Sequence, residues 1–362
     1  MKMTLLLMSL LGLAACDGGT KSGVTSQKPA DKPADKPAAP AGPTELNVYI
    51  WTNYHSPEAV KRFEQAHNAK VNIDTYDNNE VIEQKLQSGT APYDIVVPTD
   101  YMVESLAKQG LLQTLDESKL PGLKNLDPVL NAQKPGEPRY GVPYLWGTTG
   151  FAYRTDKIKE KLDSWTAVFD PKYKGKIVML DDMREDFGAA FHTMGKSINT
   201  TDAADLEAAK KKLQAQKKLI LAYDSSDFSG KIQAGDGWVV HGYSGELAKV
   251  ARESGGTIQY VVPKEGATLA VDNLAIPKVA KHTDLAYQFI EFMLDPDVAA
   301  ETTNITGYAT ANAAAKSKIK PEMANDPAVY PPADLLSRCE SIKELGDKTP
   351  VFDAAWTEVK AE

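Results

Sequence analysis

Leu46-Asn47-Val48-Tyr49-Ile50 is an apolar, strand-forming run, and Ser56-Pro57-Glu58 behind it supplies an N-cap, a proline for the first helical position and a first-turn acid. Together they read as a strand and then a helix that turns Val60 and Phe63 inward. The alternation continues. Val71 to Tyr76 is the next strand, and a helix through Val81, Ile82 and Leu86 stops at Gly89. Tyr93 to Pro98 is a third strand, and Asp100 caps a helix that ends at Gly110. Three β-α units in succession give a parallel sheet flanked by helices, whose ligands sit beyond the carboxyl ends of the strands.

A second α/β series begins after Gly147. Lys176 to Leu180, Leu219 to Tyr223, Trp238 to Tyr243 and Ile258 to Val262 are strand-like, with helices at Arg184 to Met194, Asp202 to Gln214 and Glu246 to Glu253. Thr268 to Pro277 reads as a strand leading back to the first series. A periodic helix through Leu285, Phe289, Ile290, Phe292 and Met293 follows it and ends before Pro296. Two crossings, near Gly147 to Phe151 and Ala270 to Ile276, would form a hinge. The expected organisation is therefore an α/β fold of two lobes, each a mostly parallel sheet flanked by helices. Residues 44–149 and 272–316 make lobe 1, and 150–271 and 317–362 make lobe 2. About 320 residues after the N-terminal region exceed the size at which one core keeps growing.

The first 43 residues are of a different kind. Lys2 precedes a short apolar run, Met3 to Gly12, which is too short to span a bilayer and has the size of a signal-peptide core. Leu13-Ala14-Ala15-Cys16 closes it and resembles the bacterial lipoprotein box, which implies a signal peptide over 1–15 and a lipid on Cys16. Asp17 resembles the residue that retains lipoproteins at the inner membrane of two-membrane bacteria. Residues 16–43 carry Lys28-Pro29-Ala30-Asp31 twice in succession and little apolar bulk, the composition of a disordered tether.

Composition and motifs exclude several classes. The chain has 41 basic and 49 acidic residues, a formal charge of -8, which disfavours nucleic acid and suits a cationic ligand. With Cys16 given to lipid, Cys339 is left without a disulfide partner. The five histidines form no H-E-x-x-H pair, and no cluster of His and Cys points to a metal. Gly242-Tyr243-Ser244-Gly245-Glu246 lacks the last glycine of a nucleophile elbow, and Gly235-Asp236-Gly237 precedes a strand instead of opening a helix. No catalytic residue, metal or cofactor is expected.

From Leu46 to Asp326 the chain resembles the periplasmic spermidine/putrescine-binding proteins of ATP-driven importers. The matching segments are Trp51-Thr52-Asn53-Tyr54, Tyr93-Asp94-Ile95-Val96-Val97-Pro98, Pro143-Tyr144-Leu145-Trp146-Gly147, Asp181-Asp182-Met183-Arg184-Glu185, Asp272-Asn273-Leu274-Ala275-Ile276-Pro277 and Gly307-Tyr308. The resemblance implies two lobes closing over a polyamine, delivery to the permease subunits of an ABC transporter, a monomer, and a periplasmic location, anchored through Cys16. It also implies a set of ligand contacts. Trp51, Thr52, Tyr54, Thr99 and Tyr101 come from the first lobe, Asp182 and Glu185 from the second, Asp272 from the hinge strand and Tyr308 from the returning segment. Thr52, Tyr101 and Asp182 resemble the spermidine-preferring members more than the putrescine-only ones.

The chemistry suits such a ligand. A polyamine is a methylene chain with a cation every three or four carbons. Carboxylates must replace the water each ammonium loses, and aromatic faces suit both methylenes and cations. Asp272, flanked by Val271 and Leu274, is an isolated acid in an apolar strand and needs a partner that a bound cation would supply. Trp51 reads equally as core, and Asp182 and Glu185 equally as ordinary partners of a helix dipole. Two family aromatics are replaced here, one by His241 and one by Ala270. His241 is expected at the slot, neutral or turned away from a cation, with Tyr243 on the same strand face as a partial substitute. Two other readings keep the fold: a lipoprotein that reports amines to a membrane sensor, and the same frame around a different ligand.

Overall fold

The computed structural model describes residues 42–131 and 136–361. The signal peptide, Cys16 and the tether to position 41 lie outside the described residues. In the first half, β1 (Thr44–Trp51), α1 (Pro57–His67), β2 (Ala69–Tyr76), α2 (Asn79–Gln87), β3 (Ile95–Val96) and α3 (Asp100–Lys108) follow one another as the hydrophobic pattern predicts. The strands pair in parallel in the order β2-β1-β3. Ser56 caps α1 by accepting from the Ala59 amide, and the helix ends at Asn68 in the left-handed conformation.

The long strand β4 (Val142–Arg154) then leads into β5 (Ile177–Met179), α4 (Met183–Thr193), α5 (Ala203–Lys217), β6 (Ile220–Tyr223), α6 (Phe228–Ala234), β7 (Val239–Tyr243), α7 (Ser244–Glu253) and β8 (Ile258–Val261). After β9 (Thr268–Leu274) come α8 (Thr283–Met293), α9 (Pro296–Thr306), β10 (Ala309–Thr310), α10 (Pro321–Ala324), α11 (Ala333–Leu336) and α12 (Thr349–Ala361). The second sheet runs β10-β4-β7-β5-β6, with β8 and β9 also paired to β4. Every pairing of β4 is antiparallel, and only β5–β6 and β5–β7 are parallel in this sheet. The expected mostly parallel sheet therefore holds for the first lobe and not for the second, because the long strand β4 pairs antiparallel with four others.

The two expected crossings are one structure. β4 and β9 pair antiparallel from Val142 opposite Leu274 to Thr149 opposite Thr268, so the chain leaves and returns on a hydrogen-bonded ribbon. Beyond that ribbon, Val96 bridges to Ala275 and Thr99 to Asp272, which ties β9 to the edge of the first sheet. This pairing explains why β3 is shorter than the expected Tyr93–Pro98 strand: the Pro98 carbonyl accepts from the Asn273 amide, outside the β1–β3 ladder.

Each half has its own core. In the first, Phe63, Leu46, Ile50 and Ile95 pack with Phe289, Ile290 and Met293 of α8. Ile319, Met323 and Val329 join that same core, although the expected boundary gave everything after 316 to the second lobe. In the second half, Phe352, Ala355 and Val359 of α12 pack on Phe187, Phe191, Leu206 and Leu213 of α4 and α5.

Candidate ligand-binding site

Between the two halves lies a narrow cavity of about 60 Å³, measured as the space open to the centre of a water molecule. Its wall is assembled from strand ends, as parallel α/β sheets dictate. Trp51 ends β1 and Thr52 and Tyr54 follow it; Tyr76 ends β2 and Asp77 follows; Tyr243 ends β7. Thr99 and Tyr101 open α3, Asp182 and Glu185 open α4, Asp272 comes from β9 and Tyr308 precedes β10. The described lining carries five carboxylates (Asp77, Asp182, Glu185, Glu246, Asp272), six aromatic rings (Trp51, Tyr54, Tyr76, Tyr101, Tyr243, Tyr308) and no Lys, Arg or His.

Asp272 is held by hydroxyl donors. Tyr54 Oη donates to its Oδ2 at 2.5 Å and Thr99 Oγ1 to its Oδ1 at 2.7 Å. Thr99 occupies the N-cap position of α3 but makes no side-chain cap bond, because its hydroxyl is committed to Asp272. Asp100, the expected cap, is the first helical residue instead. Asn79 donates to both Thr99 Oγ1 (3.0 Å) and Tyr101 Oη (3.1 Å), which fixes the two side chains together. Burial pushes the Asp272 carboxyl up to about 6, against the pull of its hydrogen bonds from Tyr54, Thr99 and Trp51.

The second acidic group stands at the start of α4. Asp182 caps the helix by accepting from the amides of Arg184 (2.9 Å) and Glu185 (3.1 Å), while Tyr243 Oη reaches its Oδ2 at the long limit of 3.5 Å. Glu185 is 5% exposed and accepts from Thr149 Oγ1 at 2.9 Å. Burial first, and the Asp182 charge second, raise the Glu185 carboxyl to about 8. Asp182 is also raised by burial, in spite of its two backbone donors and the nearby Arg184. Arg184 sits close behind, yet it spends its guanidinium on the Lys343 carbonyl (2.8 Å) and Asn199 Oδ1 (3.2 Å) and does not line the cavity.

A third acidic group, Asp77 with Glu246, was not singled out from the sequence. Asp77 accepts from Thr52 Oγ1 at 3.1 Å and, across the cleft, from Ser226 Oγ at 2.8 Å. Glu246 accepts from Ser229 Oγ at 2.9 Å. The position of Asp77 just past a strand end was a legible signal; Glu246, in the first turn of α7, looked like a helix-dipole partner. The aromatic rings touch one another around these acids. Tyr54 and Tyr308 meet edge to face at 4.7 Å, Trp51 and Tyr76 tilt at 4.7 Å, and Trp51 meets Tyr243 across the cleft at 6.2 Å. Tyr308 lies flat against Gly245, where a Cβ would fall 2.3 Å from its ring.

The cavity brings together every ligand contact named from the sequence except His241. That residue stands opposite Phe151 on β4, one step deeper in the sheet than Tyr243, which stands opposite Thr149. Residues two apart on a strand share a face, but only the one at the strand end reaches the cleft. His241 is fully buried, bonded through Nδ1 to Asp186 Oδ1 at 3.1 Å and packed edge-on against Trp165 at 5.3 Å. Burial lowers its imidazole to about 3, so it is neutral, and the expectation that it lines the slot is corrected. Ala270 does line the cavity, and Tyr243 takes an aromatic place beside it.

Residues 58–331 match the family described as bacterial extracellular solute-binding protein. The chain belongs to that family. This solute-binding protein is 37% identical over 323 residues to the spermidine/putrescine-binding periplasmic protein of Salmonella typhimurium, covering 87% of this chain and 91% of that one. It is 36% identical over 330 residues to a putrescine/cadaverine-binding protein of Pseudomonas aeruginosa, covering 87% and 93%. Its fold matches the structure of a putative spermidine/putrescine ABC transporter from Listeria monocytogenes with a TM-score of 0.83 at 35% identity, over 88% of this chain and 99% of the other. The family is one of solute binders and not an enzyme class. Among the described residues, no helix of this solute-binding protein is long and apolar enough to cross a membrane, and no group of three or more His, Cys, Asp or Glu is placed to hold a metal ion.

Proposed function

We propose that this solute-binding protein captures a di- or polyamine in the interlobe cavity and delivers it to an ABC importer. The observation that carries this reading is a buried cavity with five carboxylates, six aromatic rings and no cationic side chain in its described lining. Five acids enclosed without a counter-ion are costly, and a multiply charged aliphatic cation supplies what they lack. Asp272 takes one ammonium and the Asp182/Glu185 pair another, while Trp51, Tyr54, Tyr101 and Tyr308 cover the methylenes and face the cations. Thr52 and Thr99 act through the carboxylates they hold, Asp77 and Asp272. Each half contributes only part of the site, so ligand binding favours the closed form, the surface a transporter reads. The relatives named for spermidine, putrescine and cadaverine support the same ligand class.

The protein acts as a monomer without turnover, and a lipid on Cys16 holds it at the periplasmic face of the inner membrane. Residues 44–149 with 272 to about 330 form one lobe and most of the remainder the other. Calorimetry with putrescine, cadaverine and spermidine tests the ligand class: heat of binding from at least one is expected, and none from any of them rejects it. Labelling with a radioactive fatty acid tests the anchor. The wild-type protein takes up label and a Cys16→Ser variant does not; equal labelling of the two would refute the anchor.

A further inference from the structure

The five lining acids do not come from one side. Asp77 and Asp272 belong to the first half; Asp182, Glu185 and Glu246 belong to the second. Glu80, half-buried in the first turn of α2, extends the first set toward Asp182. We propose that these carboxylates form an electrostatic gate: facing one another across the cleft, they hold the empty protein open, and closure requires either a ligand's cations or the uptake of protons. The proposal concerns the same cavity as the amine-binding reading and extends it to the empty state.

The geometry carries the argument: carboxylates from both halves line one cavity of about 60 Å³ with no cationic side chain in its described lining, and two cross-cleft pairs show the effect. Burial and then the Asp182 charge raise Glu80 to about 7, although Glu80 and Asp182 stand on opposite halves. Burial and, among the charges, Asp77 first raise Glu246, again across the cleft. Asp272 and Glu185 are raised by burial in the closed cavity, with Asp182 adding to Glu185. Other charged groups face this set. Glu83 adds to the repulsion at Glu80 and Asp227 to that at Glu246; Asp100, behind Asp272, is itself pushed up to about 7. Asp186, on the buried face of α4, bonds the neutral His241. Two cations oppose the repulsion. Arg184 faces Asp182, Glu185 and Glu80, with its guanidinium 6.0 Å from the Tyr101 ring, and Lys249 faces Glu246.

Arg184 keeps its full charge and offsets part of the repulsion at Glu80, Asp182 and Glu185, but one buried cation against six acids leaves the set net negative. The Arg184 bonds to the Lys343 carbonyl and Asn199 lie within its own half, and Lys249 is exposed to solvent. Attractive contacts between the halves oppose the gate: Trp51 against Tyr243, Arg184 over the Tyr101 ring, the ion pair of Arg252 with Asp326 at 2.6 Å, Ser226 to Asp77, and the ion pair of Lys108 with Glu344 at 2.9 Å, which solvent screens. The sign follows. In an open cleft the carboxyls are hydrated and titrate near the ordinary range of about 4. Closing raises them, so the closed empty form binds more protons and gains as pH falls from about 8 toward 5. Below the ordinary range both forms are protonated and the dependence ends.

Electron-spin distance measurement on the full chain tests the gate. Labels go on exposed Lys70 and Lys211, one in each half, with Cys16 and Cys339 replaced by Ser. Without amine, the long separation is expected to dominate at pH 8 and the short one to grow at least threefold at pH 5. A Glu185→Gln/Glu246→Gln variant should show the short separation at pH 8 without amine. An amine-free distribution identical at both pH values, or a variant identical to wild type at pH 8, would overturn the gate. Putrescine at pH 8 is expected to give the short separation. If it does not while the pH effect persists, the gate stands and the amine reading falls.

Discussion

Asp272 and Glu185 both present carboxyls to one buried cavity, but the two halves hold them differently. Asp272 is pinned by two hydroxyl donors, from Tyr54 and Thr99, and has no second acid hydrogen-bonded to it. Glu185 also takes hydroxyls, from Thr149 and Thr268, but it has a like-charged neighbour, Asp182, whose oxygen is already taken up with capping α4. Burial accordingly lifts Asp272 to about 6, while burial plus repulsion lifts Glu185 to about 8. On closure at neutral pH the first-half acid stays mostly ionised and ready for a cation, whereas the second-half pair takes up a proton unless a cation stands in for it. One end of the closed site is a preformed anion and the other is one only with the ligand in place.

The largest effect should come from removing the preformed charge. Asp272→Asn keeps an acceptor for Tyr54 or Thr99 but leaves one ammonium buried without a counter-ion. Putrescine affinity is expected to fall on the order of 100- to 1,000-fold in calorimetry, as stripping one member from a buried charge pair does. Glu185→Gln removes a charge that is partly suppressed in the empty site, and Asp182 remains. A smaller loss, on the order of 10- to 100-fold, is expected. If Glu185→Gln costs more than Asp272→Asn, the contrast between the two ends is wrong.

The pH dependence sharpens the same contrast. The complex holds ionised carboxyls beside ammonium groups, whereas toward pH 5 the empty protein closes over protonated carboxyls, raised to about 6 and about 8 by that closure. Binding therefore releases protons, and putrescine affinity should rise from pH 5 to pH 8. Glu185→Gln should flatten the upper part of that rise and Asp272→Asn the lower part. The smallest effect on binding is expected behind the site. His241→Asn leaves the cavity wall in place, so affinity should change by no more than about threefold. Loss of the buried partner of Asp186 should nevertheless lower the melting temperature by several degrees, roughly 1–3 kcal/mol of stability.

Most of the fold was legible because its period changes where its elements change. Val60 and Phe63 on α1, and Leu285 through Met293 on α8, mark buried faces that the structure places in the first-half core or against it. β4 was harder. A second series was expected to begin after Gly147 with a crossing at Gly147 to Phe151, yet that segment lies inside a 13-residue strand. A Cβ on Gly150 would fall 2.2 Å from the Val261 carbonyl, so that glycine serves the close approach of β8 and not a turn. The site divided in a similar way. Asp272 was legible as an acid that breaks an apolar strand. Asp77 carried a signal too, its place just past a strand end, whereas Glu246 did not, because an acid in a first helical turn is ordinary until the opposite half is seen. His241 was misplaced because strand periodicity gives the face of a residue and not its depth along the sheet.

The central claim is that separate acids from two halves each neutralise a separate cation on one aliphatic chain. Calorimetry of the wild-type protein with butane-1,4-diamine, butylamine and butane-1,4-diol at pH 7.5 tests it most directly, since the three ligands keep the methylenes and remove the charges in turn. Affinity is predicted to fall by at least about 100-fold from diamine to monoamine, with no measurable heat from the diol. Butylamine binding within a few-fold of the diamine would contradict the account.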